Sequence, residues 1–271
     1  MKNHIMLLFL AVVVGIFTIS CPENDLLLEN ELLLDDWESE IESGGKVFGD
    51  FRYKDNDETI RIIRYLGTGG IVIIPEKIDE MPVTSLEQYA FRSTKLTGVI
   101  FPDSIISVGN FAFAFNKITN VQLPNNVKTI GSCAFLNNQL TNITIPASVT
   151  TIGDYAFSEN KLTNITISNN VTTIENGTFS KNQLTSVTIP DNITTIKSVA
   201  FFGNQLISIT ISADVSISEF AFSNAVIVPI ITGGYYGHLE ENGFTDAYRY
   251  NHMQAGKYTR QNVQLPVWTK Q

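Results

Sequence analysis

The dipeptide Ala-Phe recurs along this chain at a fixed spacing, and this spacing limits the possible folds more than any other feature. Copies lie at 112–113, 134–135, 156–157 and 200–201, and Thr178-Phe179 takes the same place between the last two. Each copy follows the one before it by 22 residues. A constant short period is typical of repeat proteins, in which each repeat forms one turn of a stacked array. We therefore expect the function to reside on a repeated surface.

A longer pattern surrounds each Ala-Phe pair. It is clearest in residues 140–161, which read Leu-x-x-Ile-x-Ile-Pro-x-x-Val-x-x-Ile-Gly-x-x-Ala-Phe-x-x-Asn-x. Six units follow this pattern, beginning at Leu96, Ile118, Leu140, Leu162, Leu184 and Leu206. One unit has too few apolar side chains to offset the conformational entropy of its own backbone, so the units must stack on one another. The period lies within the range of leucine-rich repeats.

Each unit divides into a strand and a returning segment. Ile143 and Ile145 alternate with Thr144, which predicts a short strand with its two isoleucines turned inward. Proline follows this strand in four units, where its missing amide donor ends the ladder, and serine replaces it in two: Pro102, Pro124, Pro146, Pro190, Ser168 and Ser212. The returning segment from Val149 to Phe157 brings further apolar side chains behind the strand. Its spacing fits either a strand or a helical turn.

The repeated pattern resembles the BspA-type leucine-rich repeats of bacterial surface proteins, over roughly residues 60–226. The stretch from Ile71 to Phe91 resembles the longer first unit of that family. This resemblance implies a leucine-rich repeat solenoid that is mainly β, with a parallel sheet on the concave face and short turns or strands on the convex face. We expect six clear 22-residue repeats between divergent N- and C-terminal caps. The resemblance also implies display at the cell surface and a role in binding or adhesion, without catalysis.

The N-terminus resembles the signal sequence of a bacterial lipoprotein. Lys2 precedes an apolar run of 15 residues from Ile5 to Ile19, which is shorter than the roughly 20 residues of a membrane-spanning helix. Ser20 and Cys21 follow and resemble a lipobox, although Thr18 and Pro22 depart from the usual motif. We expect a signal peptide at 1–20 and lipidation of Cys21. Ordinary secretion and an uncleaved anchor are the alternatives. Acylation of Cys21 would leave Cys133 as an apolar side chain without a disulfide.

Residues 21–45 form an acidic segment that we interpret as a tether. Nine acids and no Lys or Arg lie in residues 22–45, and they account for nearly all of the net charge of −9. One of the 18 basic residues, Lys2, lies before this segment. The remainder of the chain from residue 46 therefore has 17 basic and 18 acidic residues. The leucine triplets at 26–28 and 32–34 could instead make part of this segment helical or contact a partner. A nearly neutral domain without a basic stripe argues against nucleic acid binding.

Two columns of polar residues recur through the units. One lies on the exposed strand face and is the candidate binding face, uncharged and suited to protein or glycan ligands: Asn120, Gln122, Asn142, Thr144, Asn164, Thr166, Ser186, Thr188, Ser208 and Thr210. Threonine is also simply a favourable residue in an exposed strand. The other column precedes each strand, where stacked amides can bond to turn backbone, and we interpret it as structural: Asn116, Asn138, Asn160, Asn182 and Asn204.

A third column contains both glycine and larger residues. Gly109, Gly131 and Gly153 share it with Glu175, Lys197 and Ser218, so a positive φ is not required there.

The two end regions depart from the pattern. Residues 46–95 are assigned to an N-terminal cap and a divergent first repeat, and residues 96–226 to the six repeats. Residues 227–271 hold five of the nine tyrosines and are assigned to an aromatic-rich C-terminal cap with a short hairpin from Ala247 to Arg260, or alternatively to a ligand site. No catalytic residue, metal site or cofactor site is expected, because the histidines lack a ligand spacing and no nucleophile or phosphate motif occurs.

These features favour a surface-displayed binding protein that mediates protein–protein or adhesive interactions with host extracellular proteins or other cells. We expect it to be lipid-anchored at the bacterial outer membrane or cell surface, with a periplasmic or secreted location as alternatives. A self-associating structural envelope lipoprotein is the second hypothesis. The third is a hydrolase in the C-terminal region. The sequence does not determine the oligomeric state.

Overall fold

The computed structural model describes residues 44–218 and 220–222, together with the backbone of the strands at 256–259 and 269–270. The chain divides into two compact units, Met1–Lys46 and Val47–Gln271. The predicted signal peptide, most of the tether and most of the C-terminal cap lie outside the described residues.

The described part of the chain consists of strands and turns, without a helix. In chain order the strands are β1 (Lys46–Phe48), β2 (Phe51–Asp55), β3 (Ile60–Tyr65), β4 (Gly70–Ile73), β5 (Lys77–Ile78), β6 (Met81–Leu86), β7 (Leu96–Ile100), β8 (Ser107–Val108), β9 (Thr129–Ile130), β10 (Asn142–Thr144), β11 (Thr151–Ile152), β12 (Asn164–Thr166), β13 (Thr173–Ile174), β14 (Ser186–Thr188), β15 (Thr195–Ile196), β16 (Ser208–Ile211), β17 (Ser216–Ile217), β18 (Gly256–Thr259) and β19 (Thr269–Lys270).

These strands form two rows. Row one comprises β4 and five of the six predicted repeat strands, β7, β10, β12, β14 and β16. Its strands belong to three short sheets, β4-β7, β10-β12 and β14-β16-β18-β19. Row two contains the returning segments, which pair in parallel as β6-β8-β9-β11 and as β13-β15-β17. The returning segment is therefore a two-residue strand and not a helical turn. The second unit has no strand at residues 118–123, where row one is interrupted.

A stack of aromatic rings runs through the core between the two rows. The phenylalanines of the Ala-Phe column lie face to face with centroids 4.8–5.8 Å apart, and each is fully buried: Phe91, Phe113, Phe135, Phe157, Phe179, Phe201 and Phe222. The preceding small residue leaves room for the next coil, and its carbonyl accepts a hydrogen bond from the phenylalanine amide one coil earlier, as in Phe135 N to Ala156 O at 2.8 Å. The predicted solenoid with a stacked inner core is thus confirmed.

The N-terminal strands extend the core beyond the repeats. Strand β3 pairs in parallel with β6, and β2 pairs antiparallel with β3. Tyr65 stacks on Phe91 with a centroid distance of 5.4 Å, and Phe51 approaches Phe91 edge-on at 6.4 Å. These rings cover the first phenylalanine of the stack, which otherwise would face solvent.

At the other end, β18 pairs antiparallel with β16, and β19 pairs antiparallel with β18. The C-terminal region therefore extends row one by two strands. Most of the proposed hairpin from Ala247 to Arg260 lies outside the described residues.

Cys133 is fully buried in the interior, as expected for an apolar position.

Candidate binding face

Strand alternation in row one places one set of side chains outward. In β10, Ile143 is buried whereas Asn142 and Thr144 are exposed, and β14 repeats this pattern with Val187 between Ser186 and Thr188. We call the surface of the ten residues predicted as the candidate binding face the ladder face. Eight of them lie outward on β10, β12, β14 and β16, whereas Asn120 and Gln122 lie in the second unit, which has no strand there. Eight of the ten are exposed, and the two on β16, Ser208 and Thr210, are half-buried.

The side chains of the ladder face lie in register from strand to strand. Asn142 pairs with Asn164 and Thr144 with Thr166, and further along Ser186 pairs with Ser208 and Thr188 with Thr210. Parallel neighbours of this kind lie about 4.8 Å apart. The face thus presents two parallel files of amide and hydroxyl groups.

Most of these polar groups have no hydrogen-bond partner among the residues that the structure describes. In residues 44–218, one of the ten side chains makes a hydrogen bond to another residue, a 3.4 Å contact from Asn142 Nδ2 to Thr141 Oγ1. The donors and acceptors of the remaining side chains are open to a ligand. None of the ten is ionisable, so the ladder face itself has no group that could act as a general acid or base.

The first two strands of row one present a different outward surface. Ile71 and Ile73 on β4 and Ile100 on β7 are 67%, 66% and 53% exposed. Ile71 pairs with Gly98 and Ile73 with Ile100, so the three side chains lie together. The sequence showed Ile100 on the exposed face but not this cluster, because Ile71 belongs to a first unit that departs from the 22-residue pattern.

The column Asn116, Asn138, Asn160, Asn182 and Asn204 lies inside the turns and is almost fully buried. Each Oδ1 accepts the amide of the residue that opens its own unit, as in Leu140 N to Asn160 Oδ1 at 3.1 Å. Each Nδ2 donates to a phenylalanine carbonyl one coil earlier, as in Asn160 Nδ2 to Phe135 O at 2.9 Å. The amides therefore join adjacent coils and are turned away from ligands.

Row two carries a second column of hydroxyl residues that sequence reasoning did not single out. Thr129 pairs with Thr151, and Thr173 pairs with Thr195, which pairs in turn with Ser216. These residues are exposed or half-buried. Their 22-residue spacing could have revealed them. Because hydroxyl columns occur on both rows, a column of threonine alone does not identify a binding surface.

Residues 84–208 match a family model described as BspA type Leucine rich repeat region, in six copies. The fold is a leucine-rich repeat solenoid, and residues 84–208 of it match the BspA-type repeat. A crystal structure of a leucine-rich repeat protein from T. pallidum matches at 27% identity and a TM-score of 0.58, covering 66% of this chain and 88% of that one. A leucine-rich repeat protein from Bacteroides capillosus matches at 31% identity over 45% of this chain and 96% of that one, with a TM-score of 0.39. No curated protein matches in sequence.

Leucine-rich repeat solenoids of this kind generally serve as scaffolds for binding proteins. Within the described residues, no helix is both long and apolar enough to cross a membrane. The predicted lipidation site, Cys21, lies outside them, as does the aromatic region at 227–271 apart from β18 and β19.

Proposed function

We propose that this protein binds a protein ligand across the ladder face and does so at the bacterial surface, where it mediates adhesion to host extracellular proteins or other cells. The observation that carries this proposal is the exposure of a repeated, uncharged set of amides and hydroxyls that make few hydrogen bonds within the described residues. An extended ligand segment offers backbone groups that such side chains can pair with.

The position of the polar side chains also supports the proposal. The buried asparagine column already joins the coils, and the Phe stack already fills the core, so the ladder face is free of either structural task. The strands that carry the ladder face are held between neighbouring coils of the solenoid. A rigid support keeps the entropic cost of binding low, because the contacting side chains lie on strands rather than on mobile loops.

The proposal is tested by placing positive charges on the uncharged ladder face while keeping the fold. The triple variant Thr144→Arg, Thr166→Arg and Thr188→Arg places three bulky charges on consecutive outward positions. Binding of the purified protein to a panel of immobilised host extracellular matrix proteins is measured by surface plasmon resonance. We expect the variant to lose binding while its circular dichroism and melting temperature stay near those of the parent.

A matched control places the same charges on the other side of the repeats. Thr150, Thr172 and Thr194 are all exposed and share a column with Lys128, where a long basic side chain is already accommodated. Changing these three threonines to arginine should leave binding intact. Loss of binding in both triple variants, or in neither, would contradict a role for the ladder face.

Self-association remains the second hypothesis, favoured by the exposed isoleucines at the start of row one. Light scattering distinguishes it, since a self-associating protein gains mass with concentration and a monomeric binding protein does not. The hydrolase hypothesis concerns residues 227–271, of which the structure describes only the backbone of β18 and β19.

A further inference from the structure

Strand β4 is the first strand of row one. In the described part of the chain its one hydrogen-bonded strand is β7. Row two, in contrast, continues beyond its first repeat strand β6 into β3, β2 and β1. Among the described residues, N-terminal strands therefore extend row two and not row one. An edge strand of this kind presents amide and carbonyl groups that can pair with a further strand.

The backbone directions show which groups point to this edge. Ile74 N donates to Ile100 O at 3.0 Å, toward β7. Successive amides of a strand point to opposite edges, so the amide of Ile73 points away from β7. At the start of the strand, Gly70 and Ile71 are exposed. Among the described residues, no strand lies on the outer side of β4, so its outward backbone groups can pair with an added strand.

The outward side chains beside this edge are aliphatic. Ile71 lies over Gly98, where an added Cβ would come within 3.3 Å of Ile71 Cγ1, and Ile73 lies opposite Ile100. The three isoleucines are each more than half exposed, with fractions of 67%, 66% and 53%. A contiguous exposed aliphatic cluster next to a polar surface is a mark of an interaction site.

A positive charge flanks the start of the strand. A Cβ built on Gly69 would lie 3.7 Å from Lys95 Cβ, which places Lys95 beside the beginning of β4. Lys117 follows Lys95 by one repeat and is exposed as well. Neither lysine makes an ion pair with the residues that the structure describes. This end of the site is complementary to an acidic group.

We propose that β4 is a docking strand for an extended peptide segment of the ligand protein, which adds to the edge of row one by β-strand pairing. The segment has aliphatic side chains at alternate positions, which cover Ile71, Ile73 and Ile100, and an acidic residue at the end beside Lys95. Main-chain hydrogen bonds supply affinity in this mode, and alternate side chains supply specificity. This inference deepens the proposed function and rests on it, since it names the chemistry of the protein ligand.

The test uses the purified full chain and short fluorescein-labelled peptides of alternating valine and threonine. One peptide ends in glutamates at its amino end, another at its carboxyl end, and two matched peptides have lysines instead. We expect fluorescence anisotropy to show binding of one acidic peptide, and its polarity then shows whether the added strand is parallel or antiparallel. The lysine peptides should bind about tenfold more weakly or not at all.

Two substitutions locate the site. Ile73→Pro removes the outward amide while an edge strand tolerates proline, and we expect it to abolish peptide binding; Ile73→Val keeps the amide and the branched side chain and should bind as the parent does. Lys95→Glu should remove the preference for acidic peptides, whereas Lys128→Glu, on an exposed lysine of the returning segment, should not.

Three results would overturn the inference: no peptide binds, Ile73→Pro binds as well as Ile73→Val, or light scattering shows a dimer that Ile73→Pro dissolves. The last would identify a second copy as the occupant of β4. The arginine triple variant of the ladder face separates this inference from the proposed function. If the parent binds a matrix protein, the ladder variant does not, and no peptide binds, the docking strand alone is refuted. If a peptide binds but no matrix protein does, the adhesive function alone is refuted.

Discussion

The side-chain amide of Asn160 makes four hydrogen bonds that neither row of strands could supply. Its Oδ1 accepts from Leu140 N, and its Nδ2 donates to the carbonyls of Phe135, Phe157 and Ser158 at 2.9–3.2 Å. The residue is 7% exposed, so water cannot replace these bonds easily. A buried backbone group without a partner costs about 1–3 kcal/mol. The asparagine column therefore stabilises the turns between coils.

We predict that Asn160→Ala lowers the free energy of unfolding by about 3 kcal/mol, because it leaves Leu140 N and several carbonyls unpaired. Asn164→Ala is the matched control, since Asn164 lies four residues further along the chain, is exposed, and should change stability by less than about 0.5 kcal/mol. Urea denaturation followed by circular dichroism measures both. Equal losses in the two variants would contradict the structural role of the column.

Glycine illustrates what the residue pattern could and could not predict. Gly109, Gly131 and Gly153 share a column with larger residues, and their φ angles are not in the left-handed region, as the sequence indicated. The reason for glycine is instead close approach, since a Cβ on Gly153 would lie 2.4 Å from Ser132 N. The left-handed backbone falls two residues later in each unit, at Phe111, Cys133, Tyr155 and Val199. Nothing in these residue types predicts it, because it is imposed by the stacked turns.

At the scale of elements, the Ala-Phe column acts as one continuous stack. Phe157 lies between Phe135 and Phe179, with centroids 5.5 and 5.8 Å away and rings within 6° of parallel. Its neighbours belong to adjacent coils, so a change at one ring affects three repeats. This coupling through nearest neighbours is the basis of stability in a solenoid.

We predict that Phe157→Ala destabilises the protein by about 3–5 kcal/mol, since it leaves a cavity that the rigid coils cannot close. Phe157→Leu, which fills part of that volume, should lose clearly less. Hydrogen exchange should show the loss of protection first in the coils around Phe135 and Phe179. A loss confined to the mutated coil would be inconsistent with a coupled stack.

The strand rows were predictable to different degrees. The alternation in row one, as in Asn142-Ile143-Thr144, specifies which side chains point outward, and the structure agrees. Residues 118–123 carry the same alternation without forming a strand, and nothing in the structure explains this break. Strands of two residues such as Thr151–Ile152 carry no periodic signal of their own. They exist because a neighbouring coil lies in register, which a local pattern does not show.

At the scale of the whole molecule, the charge and the repeats lie in different parts of the chain. The nine acids of residues 22–45 carry nearly all of the net charge, and the repeats provide an almost neutral scaffold. The charges that we propose to contact an acidic ligand end are Lys95 and Lys117. We therefore expect adhesion through the repeats to depend only weakly on salt, because few charges take part.

Surface adhesion requires that the solenoid be held on the outside of the cell, and we predict that Cys21 provides this attachment. The purified parent should yield an N-terminal peptide that begins at Cys21 and carries the added mass of its acyl chains, and Cys21→Ser should lose that mass and move from the detergent phase to the aqueous phase. Cys133→Ala is the control, since it keeps the N-terminal cysteine and should stay in the detergent phase. Location is then measured by adding protease to intact and to lysed cells. Digestion of the repeats on intact cells supports display at the surface, whereas protection until lysis would place the anchored protein inside the envelope and remove the basis of an adhesive role.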